Sequence, residues 1–221
     1  VALYRQEAWW DCDLISGGSG NVYDRYFQFD KGISNTSLGI LDFSREVLGL
    51  TKLSNNLHKE VLDFILSNRK CMVLLPRGHF KSSLITQAYV IWRILINPNI
   101  RILIASSGVN KARRFLNYHR REFTYNRSMK SLFPEFCFDN EVSNRTQFQV
   151  PPKLITEPQK EMTIEIASVD MGVASAHYDL IIYDDLLDED NTRTLGSMII
   201  ANQWFKQSIP LLDDFYASDD M

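Results

Sequence analysis

The sequence predicts an α/β fold, a mostly parallel central sheet flanked by helices on both faces, on three observations. Apolar runs of strand length alternate with longer stretches of helical periodicity: Cys71–Leu75, then Ser82–Ile96, Arg101–Ala105 and Asn110–Tyr125. The runs are apolar throughout, which suits strands buried on both faces and joined by right-handed crossovers. The chain has 221 residues, 45% of them hydrophobic, enough for one sizeable domain with a proper core.

Charge and composition exclude several classes. A formal net charge of -3 gives no global argument for nucleic-acid binding, so any such case must rest on local patches. The three cysteines, Cys12, Cys71 and Cys137, have no metal-ligand spacing and read as reduced thiols. No apolar run approaches the ~18 residues of a membrane span, and VALYRQEAWWDCD lacks the layout of a secretion signal. No internal repeat or low-complexity tract is present.

Residues 1–54 read as an N-terminal arm or subdomain packing on a core of residues 55–221. Ser16-Gly17-Gly18-Ser19-Gly20 is a flexible break between aromatic pieces holding Trp9, Trp10, Tyr23, Tyr26, Phe27 and Phe29. These aromatics fit either a core and docking role or a partner-binding arm. Asn55 or Asn56 caps a helix to about Ser67, with Leu57, Val61, Leu62 and Ile65 on one face. His58 on that helix is placed either to read an adenine edge or simply to sit on the helix surface.

Lys70–Leu84, KCMVLLPRGHFKSSL, is the centre of the chain. The strand Cys71–Leu75 is followed by an irregular loop, Pro76-Arg77-Gly78-His79-Phe80, and then by Lys81-Ser82-Ser83 opening a helix. Strand, tight loop, Lys-Ser, helix is the layout of a phosphate-binding loop. A helix start leaves N–H groups unpaired and carries partial positive charge. A lysine reaches the outer phosphates, and the hydroxyl beside it can ligate Mg²⁺. The strict spacing G-x-x-x-x-G-K-[ST] fails, because its glycine slots hold Leu75 and Phe80. On these residues alone, a plain strand-turn-helix with a solvated Lys81 is as good a reading.

The following helix, Ser82 to about Ile96, is apolar over most of its circumference and stops at Asn97-Pro98-Asn99. After the strand Arg101–Ala105, the helix from Asn110 carries the best basic patch. Lys111, Arg113, Arg114, Arg120, Arg121, Arg127 and Lys130 fall in one window with only Glu122 opposing, and Arg113 with Arg120, and Arg114 with Arg121, lie seven apart and share faces. They form either a solvated face or a contact to DNA phosphates or a neighbouring subunit. A short strand at Thr146–Val150 and a one-sided strand at Met162–Ala167 follow.

Tyr178-Asp179-Leu180-Ile181-Ile182-Tyr183-Asp184-Asp185 is a buried strand with two acids at its carboxyl end. Open α/β sheets place ligands at that edge, where the loop after Leu75 also lies. Asp184 is the candidate Mg²⁺ ligand and Asp185 the candidate base that orients an attacking water. The competing use of such acids is a helix cap or surface turn. With the loop, the pair predicts a nucleoside triphosphatase. Asp188-Glu189-Asp190-Asn191-Thr192 caps a last helix running to about Gln207.

With both motifs in view, the chain resembles the ATPase domain of the large terminase subunit of tailed bacteriophages, the motor that packages DNA. The likeness rests on PRGHFKSS (Pro76–Ser83), NPNIRILIASS (Asn97–Ser107), LFPEF (Leu132–Phe136), HYDLIIYDDLLDEDNTRT (His177–Thr194) and Trp204. It spans roughly residues 40–212, and the order and spacing of the pieces make it specific. It implies a P-loop fold with ATP on the loop Pro76, Arg77, Gly78, His79, Phe80, Lys81, Ser82 and Ser83. Arg77 would sense the γ-phosphate, Ser82 and Asp184 would hold Mg²⁺, and Asp185 would be the base. Most such enzymes have glutamate at that last position, so Asp188 or Glu189 is an alternative base.

The resemblance further implies an arginine from a neighbouring subunit. No Arg or Lys lies between Met162 and Asp190, which leaves Arg145 or the Arg113–Arg121 face. It also implies double-stranded DNA, a portal and a small terminase subunit as partners, a ring assembly, the host cytoplasm as location and no membrane. The coupling motif of such proteins is expected to begin near or beyond Met221, and the nuclease domain that normally follows is not expected within these residues. The alternatives are a helicase-like or recombination ATPase and a non-catalytic nucleotide-binding scaffold.

Overall fold

A computed structural model describes residues 1–5, 36–138, 144–151, 161–171 and 176–212. Six strands form one sheet: β1 (Ala2–Arg5), β2 (Lys70–Met72), β3 (Ile102–Ser106), β4 (Gln147–Phe148), β5 (Ile164–Ser168) and β6 (Leu180–Tyr183), in the order β2-β1-β6-β3-β5-β4. The helices are α1 (Ser37–Glu46), α2 (Leu57–Ser67), α3 (Val90–Ile96), α4 (Val109–Tyr125), α5 (Arg127–Leu132), the single turn α6 (Glu189–Thr192) and α7 (Leu195–Ser208). A π-helix, Ser83–Tyr89, runs directly into α3.

The α/β class and the flanking helices stand, but the sheet is mixed rather than mostly parallel. β3 pairs in parallel with β5 and β6, while β1 runs antiparallel to both β2 and β6, and β4 antiparallel to β5. The cause is β1. Part of the expected arm enters the sheet itself, with Leu3 opposite Cys71 on one side and Ile182 on the other. The Val1 and Val73 nitrogens extend this ladder, each donating to the other residue's carbonyl.

Strand alternation sorts the core into two layers. Leu3, Cys71, Ile102, Ile104, Ile164, Ile166, Leu180 and Ile182 face a large cluster with residues of α1 to α4, among them Phe43, Leu62, Trp92, Leu116 and Phe123. Leu103, Ala105, Ile181 and Tyr183 face a smaller cluster with Trp204 of α7. Trp204 donates its indole N–H to the Met171 carbonyl at 2.7 Å, and Phe205 meets Tyr183 edge-on at 5.0 Å.

The expectation that Cys71–Leu75 is buried on both faces is not met. Cys71 and Val73 are buried, whereas Met72 is 64% and Leu74 78% exposed. β2 ends the sheet, and its second face lies beyond the cover that α7 gives β3 and β6. The expected last helix is also broken in two. Asp188 and Asn191 exchange side-chain-to-backbone bonds of 2.8 and 3.1 Å that close a single turn. Thr194 then caps α7 afresh in a capping box with Ser197. Among the described residues no helix is long and apolar enough to cross a membrane.

His119 of α4 sits wholly inside the first layer, and burial pushes its pKa down to about 3, opposed only in part by the Thr86 backbone. The imidazole is therefore neutral in the folded protein. Its folded pKa lies below its ordinary 6.5, so between those values the unfolded chain binds a proton that the folded chain does not. Stability should fall with pH across that window, by up to about 1.4 kcal/mol per unit from this group. Urea denaturation at pH 7, 6 and 5 should show a smaller decline for His119→Leu than for the native chain. Equal declines would contradict a neutral buried His119.

Candidate functional site

The loop after β2 takes the backbone of a glycine-rich turn with only one glycine. Gly78 has φ +88° and Phe80 has φ +51°. Phe80 occupies the slot that the strict motif reserves for glycine, and its backbone is in the left-handed region that glycine adopts freely. Its carbonyl accepts from the Leu84 N–H at 2.8 Å, so the helix opens right behind it. The ring lies 6.5 Å from the His58 ring, and the Lys52 ammonium stands 5.9 Å from its centroid.

His58 bonds the protein backbone with both ring nitrogens. It is 4% exposed. Nδ1 accepts from the Ser54 N–H at 2.8 Å. That fixes the proton on Nε2, which donates to the His79 carbonyl at 3.2 Å. His58 ties α2 to the loop, and no donor or acceptor of its ring is left for a nucleotide.

The two acids at the end of β6 differ sharply. Asp184 is 1% exposed. Its carboxylate accepts from Ser82 Oγ at 3.1 Å and from Thr86 Oγ1 at 2.6 Å. Both hydroxyls belong to the loop–helix segment, so this one side chain joins the two expected motifs. Asp185 has φ +49° and a side chain 70% exposed, with Oδ1 3.6 Å from Lys81 Nζ. Its carbonyl accepts from the Ser107 N–H at 3.1 Å, which anchors the strained residue to the end of β3.

A cavity of about 920 Å³ opens over these groups, a size that suits a nucleotide. Every residue from Leu75 to Ser83 lines it, with Asp184 and Asp185 on the facing side. Of the basic face, Arg114 lines the cavity. Arg113 bonds Asn110 at 3.0 Å, and Arg120 donates to the Gln147 carbonyl at 2.7 Å, tying α4 to β4. Arg121 pairs with Glu122 at 3.1 Å and lies over the Tyr118 ring.

Sequence reasoning missed Thr86 and Ser106, and placed Lys111 in the basic patch without its partners. Thr86 lies one turn past Ser82 in a mostly apolar segment that also holds the hydroxyls of Ser83 and Tyr89, so no local signal marked it. Lys111 bonds Ser107 Oγ at 2.8 Å and Asp188 at 2.6 Å. That hydrogen bond from Lys111, then those from Ser107 and the Asn191 backbone, hold Asp188 far below the usual carboxylate range. Of the two alternative acids, Asp188 is thus paired with Lys111.

The donor set suits a hard cation. Ser82 Oγ, Asp184 and Asp185 are oxygen groups on one rim, and Mg²⁺ commonly takes one or two carboxylates and completes its shell with phosphate oxygens and water. No protein family matches the chain, and no curated protein matches it either.

The left-handed backbone at Phe80 gives a direct test. A non-glycine residue there costs about 1–2 kcal/mol. Phe80→Gly and Phe80→Ala both lose the ring, but only glycine relieves the backbone. Phe80→Gly should be the more stable by about 1 kcal/mol in chemical denaturation. The usual order, alanine above glycine, would contradict the loop conformation.

Proposed function

We propose that the chain is a Mg²⁺-dependent ATPase of the P-loop type, the motor domain of a DNA-packaging large terminase subunit. The observation that carries the ATPase part is the meeting of Lys81, Ser82, Asp184 and Asp185 in one cavity, from segments about a hundred residues apart. The packaging role rests on the resemblance of PRGHFKSS and HYDLIIYDDLLDEDNTRT to terminase motifs.

In this reading the loop amides and Lys81 hold the β- and γ-phosphates, with Lys81 leaving Asp185 for the stronger phosphate partner. Ser82 and Asp184 would hold Mg²⁺, which supplies charge neutralisation on the phosphates. Asp185, on the rim of the cavity, accepts a hydrogen bond from a water and aims its oxygen at the γ-phosphorus. As that P–O bond forms, the bond to the β–γ bridging oxygen breaks, leaving ADP and inorganic phosphate. The water's proton passes through Asp185 to solvent. Arg77, exposed on the loop, reaches the same phosphates. Double-stranded DNA, a portal and a small terminase subunit are the partners this reading assigns, in a ring of copies.

Phosphate release from ATP should vanish in Lys81→Ala. Asp185→Asn should keep ATP binding while losing turnover by about 10²-fold or more. Full turnover by Lys81→Ala would overturn the site assignment.

A further inference from the structure

The cavity has a third wall, which the proposed reaction leaves without a role. It is built by the end of β3 and the first turns of α4: Ser106, Lys111 and Arg114 all line it. The Ser106 hydroxyl is buried, with no hydrogen-bond partner among the described residues. Lys111 is committed to Ser107 and Asp188. Arg114 is exposed and has no hydrogen bond or ion pair among the described residues.

The position of this wall is set by the sheet. β3 and β6 are parallel neighbours with Ala105 opposite Tyr183, so residues 106–107 emerge beside Asp184 and Asp185. The Asp184 N–H donates to the Ala105 carbonyl at 2.9 Å, and the Ser107 N–H to that of Asp185. α4 therefore rises from the acid side of the cavity. With the loop amides and Lys81 holding the β- and γ-phosphates from the loop side, the acid side meets the remaining oxygens of the γ-phosphate. The Arg114 guanidinium, which lines the same cavity and has no carboxylate partner among the described residues, offers a planar fork of donors matched to phosphate oxygens.

We infer that Arg114 contacts the terminal phosphate of a nucleoside triphosphate bound to its own chain, and so distinguishes the triphosphate from the diphosphate. The inference rests on the nucleotide reading above. It adds a substrate-selecting cation supplied within one copy rather than by a neighbour.

The test is titration of the whole chain with fluorescent mant-ATP and mant-ADP in Mg²⁺, for the native protein, Arg114→Ala, Arg114→Lys and Lys81→Ala. Arg114→Ala should weaken mant-ATP about tenfold or more and leave mant-ADP within about twofold. Arg114→Lys, which keeps charge without the fork, should fall between. Equal weakening of both ligands, or unchanged mant-ATP binding with Lys81→Ala defective, would overturn this inference and leave the ATPase reading standing. Native protein that binds neither ligand, or Lys81→Ala that binds both normally, would overturn both.

Discussion

The carboxylate of Asp184 is the tie on which the site depends. An acid at 1% exposure is costly unless its oxygens are bonded, and here two hydroxyls bond it. Those hydroxyls sit at Ser82 and Thr86, on the segment that carries Lys81. The bond set therefore fixes the loop–helix unit against the carboxyl end of β6, although β1 separates β2 from β6 in the sheet. The π-helical winding of Ser83–Tyr89 falls on this same segment, and such widened turns recur at functional sites.

Backbone strain is concentrated around that tie. Phe80 and Asp185 are the non-glycine residues with positive φ among those described; one precedes Lys81 and the other is the acid Lys81 faces. Left-handed backbone persists where its surroundings over-determine it. The surroundings are on hand at both positions. His58 grips the loop through the His79 carbonyl, and the Phe80 ring packs near His58 and Lys52. Ser107 grips Asp185 through its carbonyl. The outcome is a lysine and an exposed acid held across one opening, with the buried acid behind them.

Much of this was legible in the residues. The apolar runs at 101–105 and 178–183 located β3 and β6, and the periodicity located α2 and α4 within a residue or two of their ends. Lys81, Ser82, Asp184 and Asp185 were all named from local pattern. What escaped was non-local. Val1–Arg5 is too short to show alternation, and only its pairing with Met72 and Tyr183 makes it a strand. That omission turned a mixed sheet into a mostly parallel one. The Lys111–Asp188 pair joins residues 77 apart, so neither partner announced the other. His58 read as an adenine reader or a helix-surface residue because its partners, the Ser54 N–H and the His79 carbonyl, are backbone groups that no side-chain pattern reveals.

The most direct measurement is a crystal structure of the chain with a non-hydrolysable ATP analogue and Mg²⁺. The account predicts the triphosphate along Pro76–Ser83, with the metal between Ser82 and Asp184 and Lys81 turned from Asp185 to a phosphate oxygen. An analogue bound elsewhere, or a loop cavity that stays empty at saturating ligand while Ser82 and Thr86 still hold Asp184, would contradict it.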